Sequence, residues 1–182
     1  MAHIELDESI PGLPSLLRFR PETAGPLSAL AEALLRGPSP LERGERELIA
    51  AYVSELNGCR FCASSHGACA AAQLPGGMTL VQQVHADPDA APVSAKLKAL
   101  LAIAAAVQRG GREVGDAHIA AAREAGATDV EIHDAVLIAA AFCMYNRYVD
   151  GLATSAPENP AAYAQMAERL IAHGYGSAAG PR

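Results

Sequence analysis

The sequence contains no tryptophan, and aromatic residues make up only 4% of its 182 positions. Apolar residues nevertheless account for 51% of the chain, largely because alanine is abundant. Strands favour β-branched and aromatic side chains, whereas alanine is the strongest helix former. Strand-like alternation of apolar and polar residues is also missing. We therefore predict an all-α fold.

Basic clusters and long apolar runs are missing as well. The formal net charge is −6, and the 14 lysines and arginines are scattered, which argues against a nucleic-acid or anionic membrane partner. The longest apolar run, residues 135–145, is little more than half of the ~18 residues that a membrane helix needs. Residues 1–7 lack the basic and apolar regions of a signal peptide. We therefore expect a cytoplasmic protein that binds neither nucleic acid nor membranes.

The length of the chain favours a single domain. Residues 1–25 are rich in proline, including Pro14 and Pro21, and we predict that they form an extended N-terminal arm. Residues 26–174 contain segments of helical periodicity separated by glycine and proline, which predict one all-helical domain. The segment 175–182 consists mainly of small residues, and we predict a flexible tail there.

Two capping patterns indicate where helices begin. Residues 39–42 (Ser-Pro-Leu-Glu) match a capping box, and the helix that follows is predicted to end near Leu56. Residues 128–131 (Thr-Asp-Val-Glu) match a second box at the start of the most apolar helix, predicted to end near Leu152.

The chain has four cysteines, and two of them form a Cys-x-x-Cys pair, Cys59 and Cys62, with His66 close behind. On a helix, Cys59 and Cys62 are three residues apart and Cys62 and His66 are four apart, so all three share one face. Asn57 and Gly58 predict a helix start that places Cys59 in the first turn. The positive end of the helix dipole lowers the pKa of a thiol there.

Three interpretations of this cluster remain open from spacing alone. In a redox site, one sulfur attacks a substrate, the other forms a disulfide with it, and His66 accepts a proton. A zinc site would need a fourth ligand, such as Cys69 or Cys143, because structural zinc is tetrahedral. Both thiols of the pair could also be inert. Spacing favours redox chemistry, and we interpret Cys69 and Cys143 as small buried side chains.

The residues around the pair resemble the core of the alkylhydroperoxidase D / carboxymuconolactone decarboxylase superfamily, and in particular its peroxidase-related branch. Glu47 precedes Cys59 by twelve residues, and Cys62 and His66 follow at the spacings of that family. Three further segments are similar to the same branch: residues 19–24, 125–129 and 145–152. The resemblance thus covers most of the chain, with a redox core at about residues 40–150.

The resemblance implies a single-domain helical bundle of the alkylhydroperoxidase D-like type and a thiol-dependent (alkyl)hydroperoxidase or thiol-disulfide oxidoreductase. Cys62 would attack a hydroperoxide and become a sulfenic acid, and Cys59 would condense with it to form a disulfide. His66 and Glu47 would relay protons. No cofactor is implied, only a dithiol reductant, which in the best-known relatives is a lipoylated protein. Decarboxylase relatives lack the cysteine pair, so its presence favours redox work.

Two details depart from the simplest form of this interpretation. Phe61 stands between the cysteines, next to the second, where the best-known alkylhydroperoxidase D members carry a histidine. Helical periodicity also offers Glu55, one turn before Cys59, as an alternative to Glu47 for the relay.

The alternative function is a non-catalytic oligomeric helical protein whose Cys/Cys/His cluster binds metal or senses redox state. A homo-oligomer is expected in either case, because the apolar stretch 135–144 would be exposed on a lone subunit.

Overall fold

The fold is all-α, as predicted, in a computed structural model that describes residues 1–176. Those residues form nine α-helices, one 3₁₀ turn at Gly111–Glu113 and no strand. None of the helices in this range is long and apolar enough to cross a bilayer. The helices are α1 (Leu13–Phe19), α2 (Pro21–Arg36), α3 (Arg43–Leu56), α4 (Arg60–Gln73), α5 (Gly77–Ala86), α6 (Ala95–Arg109), α7 (Asp116–Glu124), α8 (Asp129–Gly151) and α9 (Pro160–His173).

The N-terminal segment differs from the extended arm predicted for residues 1–25. It lacks regular structure only as far as Gly12, after which α1 and α2 follow almost without a break. Pro14 and Pro21 lie in the first turns of these helices. The first turn of a helix does not use its N–H groups in hydrogen bonds within the helix, so proline is compatible with it. Proline here starts helices instead of preventing them.

The two predicted capping boxes have different outcomes. At the start of α8, Thr128 N donates to Glu131 Oε2 at 2.7 Å and Glu131 N donates to Thr128 Oγ1 at 3.3 Å, which confirms that box. At the start of α3 the reciprocal bond runs one turn later, from Glu42 N to Glu45 Oε2 at 3.0 Å. Ser39 instead donates to a carboxylate of α8. The helix therefore begins after Glu42.

The core forms where α3 packs against α4 and α8, and where α6 packs against α8. Ten of the 14 residues of α3 are buried, including Leu48, Ile49 and Val53. A Cβ atom at Gly44 would lie 2.8 Å from the side chain of Leu74, so the start of α3 approaches the end of α4 closely. A polar side chain in the buried part of α3, such as Glu47, therefore meets other protein groups instead of water.

The predicted domain, residues 26–174, and the predicted tail, 175–182, meet at the end of α9. Tyr175 belongs to the described part of the chain, and its backbone N–H donates to Glu32 Oε2 at 2.7 Å. The tail prediction therefore does not describe Tyr175, because α2 offers this residue a hydrogen-bond acceptor. The rest of the predicted tail, 177–182, lies outside the described residues.

Candidate active site

The cysteine pair lies where α3 turns into α4. Gly58 has a φ of +71°, a left-handed conformation that suits glycine and lets the chain reverse after α3. Cys59 is the residue that caps α4, one position earlier than predicted, and its N–H donates to Ser54 O at 3.0 Å. Cys62 lies in the first turn of the helix. Both thiols are free and buried, with 0% and 3% of their surface exposed.

The two thiols are electrostatically unequal. A hydrogen bond from Cys59 lowers the pKa of Cys62, against the opposing effect of burial. The positive charge of His66 once it is protonated and a hydrogen bond from Asn146 lower the pKa of Cys62 further, whereas the charge of Asp150 raises it. The same hydrogen bond between the two cysteines raises the pKa of Cys59, and burial of this thiol raises it further. The arrangement thus favours a thiolate on Cys62 and a protonated, hydrogen-bond-donating thiol on Cys59.

This asymmetry predicts the effect of replacing Cys59 on the ionisation of Cys62. Alanine removes the donor, so we expect the pKa of Cys62 to be higher in Cys59→Ala than in the unsubstituted protein. Serine keeps a hydroxyl donor, so Cys59→Ser should shift the pKa less. Ultraviolet absorbance of the thiolate, titrated in each variant and in its Cys62→Ser counterpart, measures the shift. Equal pKa values in the alanine and serine variants would show that the Cys59 hydrogen bond does not stabilise the thiolate.

A carboxylate–imidazole pair lies behind Cys62. His66 follows Cys62 by one turn of α4, and its Nδ1 is 2.7 Å from Glu47 Oε2 on α3. Glu47 is only 3% exposed. The ring of Phe142 packs edge-on against His66, with centroids 4.5 Å apart. The geometry thus brings Cys59, Cys62, His66 and Glu47 together at one junction of helices.

Glu55, the alternative carboxylate, is not part of this cluster. Its side chain is 53% exposed, and its Oε2 lies 3.7 Å from His85 Nδ1 on α5. The structure therefore pairs Glu47, and not Glu55, with His66. Helical periodicity placed Glu47 opposite the apolar face of α3. Because α4 covers that opposite face, Glu47 is nevertheless buried.

Asn146 on α8 is a buried polar residue of the site that sequence reasoning missed. Its Nδ2 donates to Ser54 Oγ at 3.0 Å, and its Oδ1 accepts from Asn57 Nδ2 at 2.8 Å. It also donates a hydrogen bond to Cys62. The available signal was a lone amide within the most apolar helix, because a buried amide needs partners for its donors and acceptor.

Tyr175, just after α9, is the second residue that sequence reasoning missed. Its hydroxyl donates to Glu47 Oε1 at 2.6 Å and lies 3.4 Å from His66 Nδ1. Its ring stacks on His66 with centroids 6.0 Å apart and planes at 15°. A tyrosine among small residues near the end of a chain has no periodicity from which this contact could be predicted.

The remaining candidates of the sequence analysis lie around this cluster. Cys69 is buried, as predicted, whereas Cys143 is only partly buried and lies 3.6 Å from Asn57 Nδ2. Within residues 1–176, no group of three His, Cys, Asp or Glu side chains is placed to hold a metal ion. Phe61 packs against Tyr163 and the backbone of Gly12.

Two open cavities are lined by neighbours of the cysteine pair. The smaller has a volume of about 470 Å³ and is lined by Asn57, Asn146, Arg147, Asp150 and Gly151. The larger, about 1070 Å³, lies between the N-terminal residues and the segment that includes Gly58, Arg60 and Phe61. Asn146, which lowers the pKa of Cys62, therefore forms part of the wall of the smaller cavity.

Fold and site together define a class of protein. Members of this class are helical bundles with a buried pair of cysteine thiols at a helix N-terminus. One of the two sulfur atoms is favoured as a thiolate, and a carboxylate–imidazole pair lies beside the thiols. Within that class, the chain belongs to the carboxymuconolactone decarboxylase family, whose model matches residues 21–74 and 78–154. A comparison with curated proteins finds no match.

Solved structures agree with this assignment. An uncharacterized peroxidase-related protein from Silicibacter sp. is 29% identical, with a TM-score of 0.76 over 85% of this chain and 79% of that chain. A peroxidase-related protein from Ralstonia eutropha, described as an alkylhydroperoxidase AhpD core, is 28% identical, with a TM-score of 0.75 over 87% and 81%. A protein of unknown function from Agrobacterium tumefaciens is 21% identical and shares the fold, with a TM-score of 0.69 over 79% and 97%.

Proposed function

We propose that this protein is a thiol-dependent hydroperoxidase in which Cys62 reduces the peroxide and Cys59 resolves the oxidised cysteine. The observation that carries the proposal is the placement of two buried cysteines, Cys59 and Cys62, at the start of α4 next to the Glu47–His66 pair. A hydrogen bond from Cys59 lowers the pKa of Cys62 and raises that of Cys59. A thiolate is the reactive form of cysteine, so Cys62 attacks the peroxide first, and Cys59 gives up its proton when it attacks the oxidised Cys62. Membership of the family and the peroxidase-related neighbours support the same assignment.

In the first step, the Cys62 thiolate attacks the terminal oxygen of ROOH. The S–O bond forms, the O–O bond breaks, and the alkoxide leaves as ROH after it accepts a proton. In the second step, Cys59 attacks the Cys62 sulfenic acid, so that an S–S bond forms and the S–O bond breaks with release of water. A dithiol reductant then returns two electrons and two protons by thiol–disulfide exchange.

His66 and Glu47 supply and accept the protons of these steps. An ionised carboxylate only accepts hydrogen bonds, so the 2.7 Å contact with Glu47 Oε2 fixes the proton of neutral His66 on Nδ1. Nε2 then carries the lone pair and can take the proton of the Cys62 thiol.

We also propose that the protein is a homo-oligomer. Helix α8 exposes Val130, Leu137 and Met144, with exposed fractions of 52%, 38% and 43%. These residues recur every seven positions and share one face of the helix. An apolar stripe of this kind on the longest helix is typical of a surface that a second subunit covers.

The proposed function is tested by the rate of oxidation of the reduced, metal-free protein in a stopped-flow instrument. We expect cumene hydroperoxide and hydrogen peroxide to convert Cys59 and Cys62 to a disulfide roughly a hundredfold faster than they oxidise a free thiol, because the site combines a thiolate with a proton donor. Peptide mass spectrometry identifies the disulfide. Oxidation no faster than that of free cysteine would overturn the proposal and favour a non-catalytic metal-binding or redox-sensing role.

A further inference from the structure

Tyr175 joins the site through Glu47. One oxygen of the Glu47 carboxylate faces His66, and the other accepts the Tyr175 hydroxyl at 2.6 Å. The carboxylate is therefore held by two donors that come from different parts of the chain. A buried carboxylate oxygen without a donor is costly, so the tyrosine hydroxyl satisfies a group that no water reaches easily.

The segment that carries Tyr175 is fastened to α2. The backbone N–H of Tyr175 donates to Glu32 Oε2 at 2.7 Å, and the other oxygen of Glu32 pairs with Arg36 Nε at 3.1 Å. Arg36 Nη1 in turn donates to the carbonyls of Leu170 and Ile171, at 3.1 and 3.0 Å, near the end of α9. Glu32 and Arg36 thus hold both the end of α9 and the residue that follows it.

The Tyr175 hydroxyl remains protonated at neutral pH. Burial raises its pKa well above the ordinary value, and the charge of Glu47 raises it further. A protonated hydroxyl next to a carboxylate can only donate to it. Tyr175 therefore keeps the direction of this hydrogen bond constant over the pH range in which Cys62 ionises.

We propose that Tyr175 is a positioning residue of the thiol site, whose hydroxyl holds Glu47 in the orientation that places the proton of His66 on Nδ1. The part of this inference that predicts a rate of peroxide oxidation rests on the proposed function. Tyr175 acts on the reacting sulfur through Glu47 and His66. The hydrogen bonds of Glu32 and Arg36 hold Tyr175 in place.

The test compares Tyr175→Phe with Tyr145→Phe. Tyr145 is the control, because its hydroxyl also donates a hydrogen bond, to Leu27 O at 2.8 Å, and not to Glu47. We expect Tyr175→Phe to lower the rate of peroxide oxidation about tenfold and Tyr145→Phe to leave it unchanged. A second variant, Glu32→Ala, removes the anchor from a half-exposed position and should lower the rate in the same direction by a smaller factor.

The second readout is the ¹⁵N NMR spectrum of the histidine side chains, with His66 assigned by its loss in His66→Gln. We expect the fraction of His66 protonated at Nδ1 to fall in Tyr175→Phe and to stay constant in Tyr145→Phe. Identical spectra and rates for the two phenylalanine variants would overturn the inference. A rate loss without a change of tautomer would overturn it too, because Tyr175 would then act by another route.

The two readouts separate this inference from the proposed function. If the unsubstituted protein reacts with peroxide no faster than a free thiol, the hydroperoxidase proposal fails. The tautomer of His66 in Tyr175→Phe then decides the positioning role alone. If the unsubstituted protein reacts rapidly, both the rate and the tautomer test that role.

Discussion

Replacing Cys62 by serine is expected to abolish the rapid reaction with hydroperoxide. The reaction needs an ionised sulfur, and a serine hydroxyl at the same place stays protonated and is a weak nucleophile. The hydrogen bonds from Cys59 and Asn146 that favour the thiolate of Cys62 would then meet a neutral oxygen. Stopped-flow kinetics with cumene hydroperoxide should show no fast phase in Cys62→Ser.

Two further variants make this result specific. Cys143→Ser replaces a partly buried cysteine outside the pair and should retain the fast phase. Cys59→Ser keeps a hydrogen-bond donor but cannot form the disulfide, so sulfenic acid should accumulate on Cys62 and react with dimedone. A fast phase that survives in Cys62→Ser and disappears in Cys59→Ser would reverse the roles assigned to the two cysteines.

Replacing Glu47 by glutamine is expected to lower the oxidation rate by about a hundredfold. Glutamine can still accept the Tyr175 hydroxyl through its oxygen, but its NH₂ group then faces His66 Nδ1. Nδ1 must become the acceptor, so the proton of neutral His66 moves to Nε2. Nε2 then carries a proton where it previously carried a lone pair, so the imidazole can no longer act as the base.

Glu55→Gln is the control for this substitution. Glu55 lies on the same helix, is largely exposed and contacts His85 instead of His66. Its replacement should leave the rate within a factor of about two, since an exposed pair of this kind contributes little. Equal losses in the two variants would show that the effect comes from net charge near the site and not from the Glu47–His66 contact.

The sequence predicts much of the fold because glycine, proline and capping residues mark most helix boundaries. The Thr128–Glu131 box is an example, since its donors and acceptors all lie within one turn. The start of the chain was harder to predict. Pro14 and Pro21 are equally typical of an extended arm and of a first helical turn, and only the packing of α1 and α2 decides between them.

Some residues of the candidate site can be predicted from local spacing, whereas others join it through contacts between distant segments. Cys59, Cys62 and His66 follow from spacing on one helix, whereas periodicity alone leaves Glu47 and Glu55 as alternatives and the family resemblance selects Glu47. Asn146 and Tyr175 come from α8 and from beyond α9. Their contacts depend on how separate helices pack, and nothing in the local pattern encodes that.

Cys59 and Cys62 are buried, so access to their sulfur atoms is a dynamic property of the protein. A bulky reagent reaches them only when the first turn of α4 opens. Where opening and reclosing are fast compared with the reaction, the observed rate is the product of the open population and the intrinsic reactivity. For large reagents, the local stability of this turn thus sets reactivity as much as the ionisation of the thiol does.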